Sequence, residues 1–227
     1  MEGMNRMSNL EVLYEDNHLI AVNKPRNVLS QGDKTNDLDL LTMTKQYLKQ
    51  KYQKPGNVYL GLLHRLDRPV SGVMVFAKTS KAASRMSEEI RTHRFQKTYL
   101  AIVHGTFSSK EGVFEDYLQK LENGNTIVTD SKHGKFSRLT YQVLEENKPH
   151  NLSLVKICLE TGRHHQIRVQ FASRNHPLCG DWRYGEKEDV PLCLHAYQVS
   201  FLHPVKKEPL TIVSLPSKDS YWTLFTL

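Results

Sequence analysis

Asp67 stands in "GLLHRLDRPVSG", residues 61 to 72, with Arg65 two positions before it and Arg68 directly after it. Two guanidiniums beside a carboxylate favour its charged form and hold it ionised well below neutral pH. A carboxylate held in this way can act as a nucleophile, or it can do no more than fix a loop through a salt bridge. Pro69 interrupts the hydrophobic pattern at the same point, so the carboxylate belongs to a turn. This segment alone leaves both readings open.

Other groups able to do chemistry are scattered. Cys158, Cys179 and Cys193 are far apart, odd in number and form no C-x-x-C pair. They read as small buried residues rather than a disulfide framework or a zinc site. None of the eleven histidines falls in an H-E-x-x-H spacing, and on a helix the adjacent rings of His164 and His165 would point in different directions. No metal is expected. The net charge of +7 suits an anionic partner such as nucleic acid, although many basic proteins share it. Lys78, Lys81, Arg85, Arg91, Arg94 and Lys97 put six positive charges within twenty residues, with Phe95 among them. Such a stretch is either a solvated helix face or a phosphate-binding stripe.

The elements that position these residues follow from periodicity. "EVLYEDNHLIAVNKP" alternates on both sides of "EDNH" and predicts a strand, a turn and a strand closed by Pro25. "LLTMTKQYLKQKY" has helical spacing, "GVMVFAK" at 72–78 is a buried strand, and "SKAASRMSEEIRTHRF" is a helix with Ser80 as N-cap. "KTYLAIVHG" is a strand ending at Gly105, and residues 106–135 form either a ribbon or an excursion loop. "SRLTYQVLEE" and "LSLVKICLET" predict a hairpin, "GRHHQIRVQFAS" a helix opening at Gly162, and "LCLHAYQVSF" and "PLTIVSLP" two last strands. The sum is an α+β fold with a mixed, largely antiparallel sheet and flanking helices, in a single domain over residues 1–227 whose first nine residues are a flexible extension. With 39% hydrophobic residues the chain can build a core. There is no run of 18 apolar residues and no leader-like start, so a cytoplasmic protein away from membranes is expected.

Three segments in order, "HRLDRPVSG" at 64–72, "KTYLAIVHG" at 97–105 and "ETGRHHQIRVQFASRNHPLCGDWRYG" at 160–185, resemble the RluA-type pseudouridine synthases. "VNKP" at 22–25 and "LHA" at 194–196 extend the resemblance over nearly the whole chain. It implies the fold of that family, with an active-site cleft, and the isomerisation of uridine in ribosomal or transfer RNA without a cofactor. It also implies roles. Asp67 matches the essential aspartate, Arg168 its basic partner through an arginine–carboxylate fork, and Tyr99 the tyrosine that stacks near the uracil and moves a proton. Packing in a strand is the alternative role of Tyr99. Arg65 matches the arginine that fills the space of a flipped-out nucleotide, with a plain phosphate or carboxylate contact as its alternative. His64, His165 and Gln166 are supporting hydrogen-bond groups, Leu194 is part of an apolar wall against the base, and the 78–97 cations hold RNA phosphates. "RPV" at 68–70 departs from the family's usual pair after the aspartate, and with the first strand starting near residue 10 the S4-type RNA-binding domain of many relatives is not expected. A monomer is expected, and the rival reading is a catalytically inactive RNA-binding or RNA-folding factor of the same fold.

Overall fold

The "ED" of "YEDNHL" closes the first hairpin because the Asp16 carboxylate accepts from the backbone N–H groups of His18 (2.7 Å) and Leu19 (2.8 Å). The computed structural model describes residues 10–35 and 37–227; the flexible extension expected over residues 1–9 lies outside them. In chain order the elements are β1 (Val12–Glu15), β2 (Leu19–Lys24), α1 (Leu40–Lys51), β3 (Gly61–Leu62), β4 (Ser71–Ala77), α2 (Ser80–Arg91), β5 (Gln96–His104), β6 (Glu111–Lys120), β7 (Thr126–Thr129), β8 (Lys135–Asn147), β9 (Leu152–Leu159), α3 (Gln166–Ala172), β10 (Leu194–Leu202) and β11 (Pro209–Val213). The described residues gather into two units, one running up to Phe95 and including Gln198–Ser214, the other made of Gln96–Tyr197 and Leu215–Leu227.

In the first unit β2 and β3 both pair antiparallel with β4, and β1 pairs with β2. Every β4 residue from Gly72 to Ala77 is buried, which is why the sequence there is a continuous apolar run rather than an alternation. Leu19, Ala21, Val73, Val75 and Ala77 make one core with Ala82 and Met86 of α2, Phe95, and Val199, Phe201 and Ile212 from the β10–β11 hairpin. Helix α2 is capped by Thr79 rather than by the expected Ser80. Thr79 is extended, and its hydroxyl accepts from the Ala82 N–H at 3.2 Å. The helix also stops at Arg91, before the expected end at Phe95, because His93 turns left-handed at φ 57°.

In the second unit the strand order is β5-β9-β8-β6-β7, antiparallel throughout. Residues 106–135 are thus a ribbon, the β6–β7 hairpin, and not an excursion loop. One face of the unit packs Leu100, Ile102, Leu152 and Leu154 against Cys179, Cys193, Trp222 and Phe225. Phe107, Phe114, Tyr141 and Phe171 form an aromatic cluster, and fully buried Phe171 anchors α3 within it. Cys158 is exposed, against the expectation that all three cysteines are buried; its position on β9 points it away from the core. The α+β class and the mixed, largely antiparallel pairing stand, with Leu29–Asp39 as an isolated parallel bridge.

Candidate active site

Asp67 is carried by the loop between β3 and β4, and that loop is fixed residue by residue. Leu66 and Val70 on either side are buried. The Ser30 hydroxyl accepts from Leu66 N–H at 3.0 Å and donates to Leu66 C=O at 2.7 Å. The Val70 N–H donates to Asp67 C=O at 3.0 Å, closing the turn over Arg68 and Pro69. The backbone of Asp67 is therefore held from both sides, while its side chain stays partly exposed.

Lys24, from "VNKP", lies beneath this loop and is fully buried. Its Nζ donates to the carbonyls of Arg68 and Pro25, each at 3.0 Å. Burial pushes its pKa down to about 7; the negative charge of Asp67 opposes that shift and the positive charge of Arg68 adds to it. Sequence reasoning gave this lysine no role. Its signal was a cation ending a buried strand just before a proline, next in space to the very loop it braces. Arg68 turns away from the carboxylate beside it: its Nε donates to Asn27 C=O at 3.2 Å, and its Nη2 pairs with Asp37 at 2.8 Å. Arg65 is exposed. His64 accepts from Val75 N–H through Nε2 at 3.0 Å, which puts the proton of a neutral ring on Nδ1.

In the other unit Tyr99 lies on β5, buried, opposite Ile157 of β9. Arg168 lies in α3, where every residue from Gln166 to Phe171 is buried. Its Nε and Nη2 make a fork on Asp181 at 2.7 and 2.6 Å, with Asp181 itself almost wholly buried. Asp181 belongs to the "GDWRYG" segment, and sequence reasoning left it without a role. The backbone places this aspartate: Gly180 sits at φ +71°, and a Cβ there would meet Pro191 C=O at 2.4 Å, so only glycine fits. The Asp181 carboxylate also accepts from Arg183 N–H at 3.1 Å.

Helix α3 begins at Gln166, four residues after the expected start at Gly162, because His165 adopts φ 52°. Gln166 instead braces the preceding turn: its Oε1 accepts from Arg163 N–H (3.0 Å) and Thr161 Oγ1 (2.8 Å), and its Nε2 donates to Arg138 C=O (3.1 Å). His164 and His165 lie outside the helix, and their rings stack at 3.7 Å and 29° rather than diverging. The Tyr184 hydroxyl accepts from Thr126 N–H at 2.9 Å and shares a second hydrogen bond with His165 Nδ1 at 2.7 Å. Burial, with the Arg168 charge adding, pushes the pKa of His165 down to about 3, and it stays neutral. The Tyr184 ring lies 5.1 Å from the Arg168 guanidinium.

The basic stretch is mostly engaged. Lys78 pairs with Glu15 at 2.8 Å, Arg91 with Glu88 at 2.6 Å, and Arg94 with Glu89 at 3.0 Å, while Arg85 donates to Pro204 C=O at 2.9 Å. Lys81 is exposed on α2, and Lys97 is half-buried on β5. Leu194 is buried on β10. Ligand atoms of His104, Cys179 and Glu188 lie within 4.8 Å of one another. Burial raises the pKa of Cys179 and favours its thiol form. Glu188 is already taken by Gly180 N–H at 2.7 Å and His104 Nε2 at 3.1 Å.

A family model described as RNA pseudouridylate synthase matches residues 18–173, and the chain belongs to that family. Among its relatives, a ribosomal large subunit pseudouridine synthase C of Haemophilus influenzae is 33% identical over 222 residues, covering 92% of this chain and 66% of that protein. A tRNA pseudouridine synthase C of the same organism is 30% identical over 234 residues, covering 94% and 95%. The chain spans about two thirds of the length of several such curated relatives, 66% for the first. The solved structure of human RNA pseudouridylate synthase domain containing 1 is similar at a TM-score of 0.75 and 25% identity, covering 95% of this chain and 86% of that one.

Proposed function

We propose that the chain isomerises uridine to pseudouridine in structured ribosomal or transfer RNA, acting in the cytoplasm as a monomer with the whole chain as one catalytic domain. The observation that carries this reading is the family match over residues 18–173, within which Asp67, Tyr99 and Arg168 all stand in the matching motifs. The names of the relatives support ribosomal and transfer RNA as the substrate class. In the reaction the N1–C1′ bond breaks, the uracil turns, and C5 bonds to C1′. The C5 proton leaves and N1 gains one, so atoms and electrons balance without an oxidant or cofactor.

Asp67 attacks the sugar or base, or stabilises charge developing at C1′; each role needs the ionised carboxylate. The pinned backbone around it supports such a role, since a reacting group must be held in place. Tyr99 stacks on the uracil and moves the proton. Arg168, itself fixed by Asp181, supplies the positive charge opposite the nucleophile. Arg65 takes the space of the flipped-out nucleotide, Leu194 walls the base, and His64, His165 and Gln166 hold these groups in place. Lys78, Lys81, Arg85, Arg91, Arg94 and Lys97 meet RNA phosphates, four of them by exchanging a present partner. Pseudouridine mapping of cellular RNA with and without the gene tests the reading: at least one site should disappear, and an unchanged map overturns it.

A further inference from the structure

Lys97 differs from every other cation of its stretch. Lys78, Arg91 and Arg94 meet carboxylates, Arg85 meets a carbonyl, and Lys81 is in solvent. Lys97 is half-buried, and no carboxylate or hydrogen-bond acceptor among the described residues reaches its Nζ. Its place is made for it: a Cβ built at Gly162 would stand 3.1 Å from Nζ, so the glycine of the "TGR" turn leaves room for the ammonium. Lys97 and Tyr99 are two apart on β5, so their side chains leave the same face of the strand.

Burial alone lowers the pKa of Lys97, with no neighbouring charge contributing. A partly desolvated cation without a counter-charge costs stability, and an apolar side chain of the same length would avoid that cost. A residue that harms the free protein in this way belongs with the groups a protein keeps for what it binds.

Resting on the reading of the chain as an RNA pseudouridine synthase, we infer that Lys97 receives an anionic oxygen of the bound RNA beside Tyr99. Two RNA oxygens have that chemistry. One is a phosphate oxygen flanking the target uridine. The other is the uracil oxygen that takes up negative charge as the N1–C1′ bond breaks.

The test uses Lys97→Met, which keeps the stem and removes the charge, and Lys97→Arg, which keeps the charge. The substrate is total RNA from cells lacking the gene, labelled with tritium at uridine C5, and tritium release reports the isomerisation. Lys97→Met should melt at or above the wild-type temperature and release tritium more slowly, with Lys97→Arg closer to wild type. If the partner is a phosphate, the salt slope of RNA binding should fall by about 0.7–0.9. If it is the uracil oxygen, that slope stays the same and turnover at saturating RNA falls by about 10²–10³-fold. A Met variant with unchanged turnover and slope overturns the inference, as does one that melts well below wild type or fails to fold. No release by the wild-type protein would instead overturn the parent reading, and this inference with it.

Discussion

At Tyr99 the hydroxyl carries the proposed chemistry and the buried ring carries the packing, so one substitution separates the two. Tyr99→Phe keeps the ring; if the hydroxyl moves a proton, tritium release should fall by about 10²–10⁴-fold while the melting temperature stays put. A fully active Phe variant would leave Tyr99 as packing alone. Lys24 gives a pH prediction. Its folded pKa of about 7 lies below the usual lysine value of about 10.4, so between these values the unfolded chain binds more protons. Stability from this group is therefore complete above about pH 10.4 and is lost as pH falls towards 7. Denaturant titrations of Lys24→Met across that range should show less of this rise than wild type; parallel curves would mean that the ammonium titrates normally. Asp67, Tyr99 and Arg168 could be proposed from the sequence because motif spacing marks them. Lys24 and Asp181 could not, since their importance comes from burial and from partners that only folding brings near.

Helix α3 and its bracing loop show what an element adds to a residue. Arg168 is buried, and its fork on Asp181 is a contact that helps make burial tolerable. Asp181→Asn keeps the shape and removes the charge, leaving a buried guanidinium without its ion pair. The expected loss is about 3–5 kcal/mol in denaturant unfolding, the range for breaking a buried pair, and a loss under about 1 kcal/mol would show that Arg168 is satisfied elsewhere. Most elements were legible because strands alternate or run apolar and helices repeat with a helical period. The start of α3 was not, because the left-handed turn at His165 has no signature in residue type, and this turn is also what stacks the two histidine rings. The β6–β7 ribbon was only one of two readings, since polar, turn-rich sequence suits a hairpin tip and a loop equally well.

For the molecule as a whole, composition and element order gave the α+β class, and the ordered motifs gave the family. Charge said less than it seemed to, because Lys78, Arg91 and Arg94 already face carboxylates, and a count of cations does not reveal that pairing. RNA binding should still weaken steeply with salt, with a slope equivalent to roughly 4–8 phosphate contacts; a flat dependence would mean that phosphates are not what the protein holds. The central claim is that the chain is an enzyme whose nucleophile is Asp67, and not an RNA-binding factor that has lost its chemistry. The most direct measurement is tritium release from C5-labelled total RNA by wild-type protein and by Asp67→Asn, with RNA binding measured on both. Release by wild type, none by the Asn variant, and equal binding by the two are the predicted result. Release by Asp67→Asn within about tenfold of wild type, a loss far smaller than removing an essential reacting group produces, would contradict it, and so would a wild-type protein that binds RNA and releases nothing.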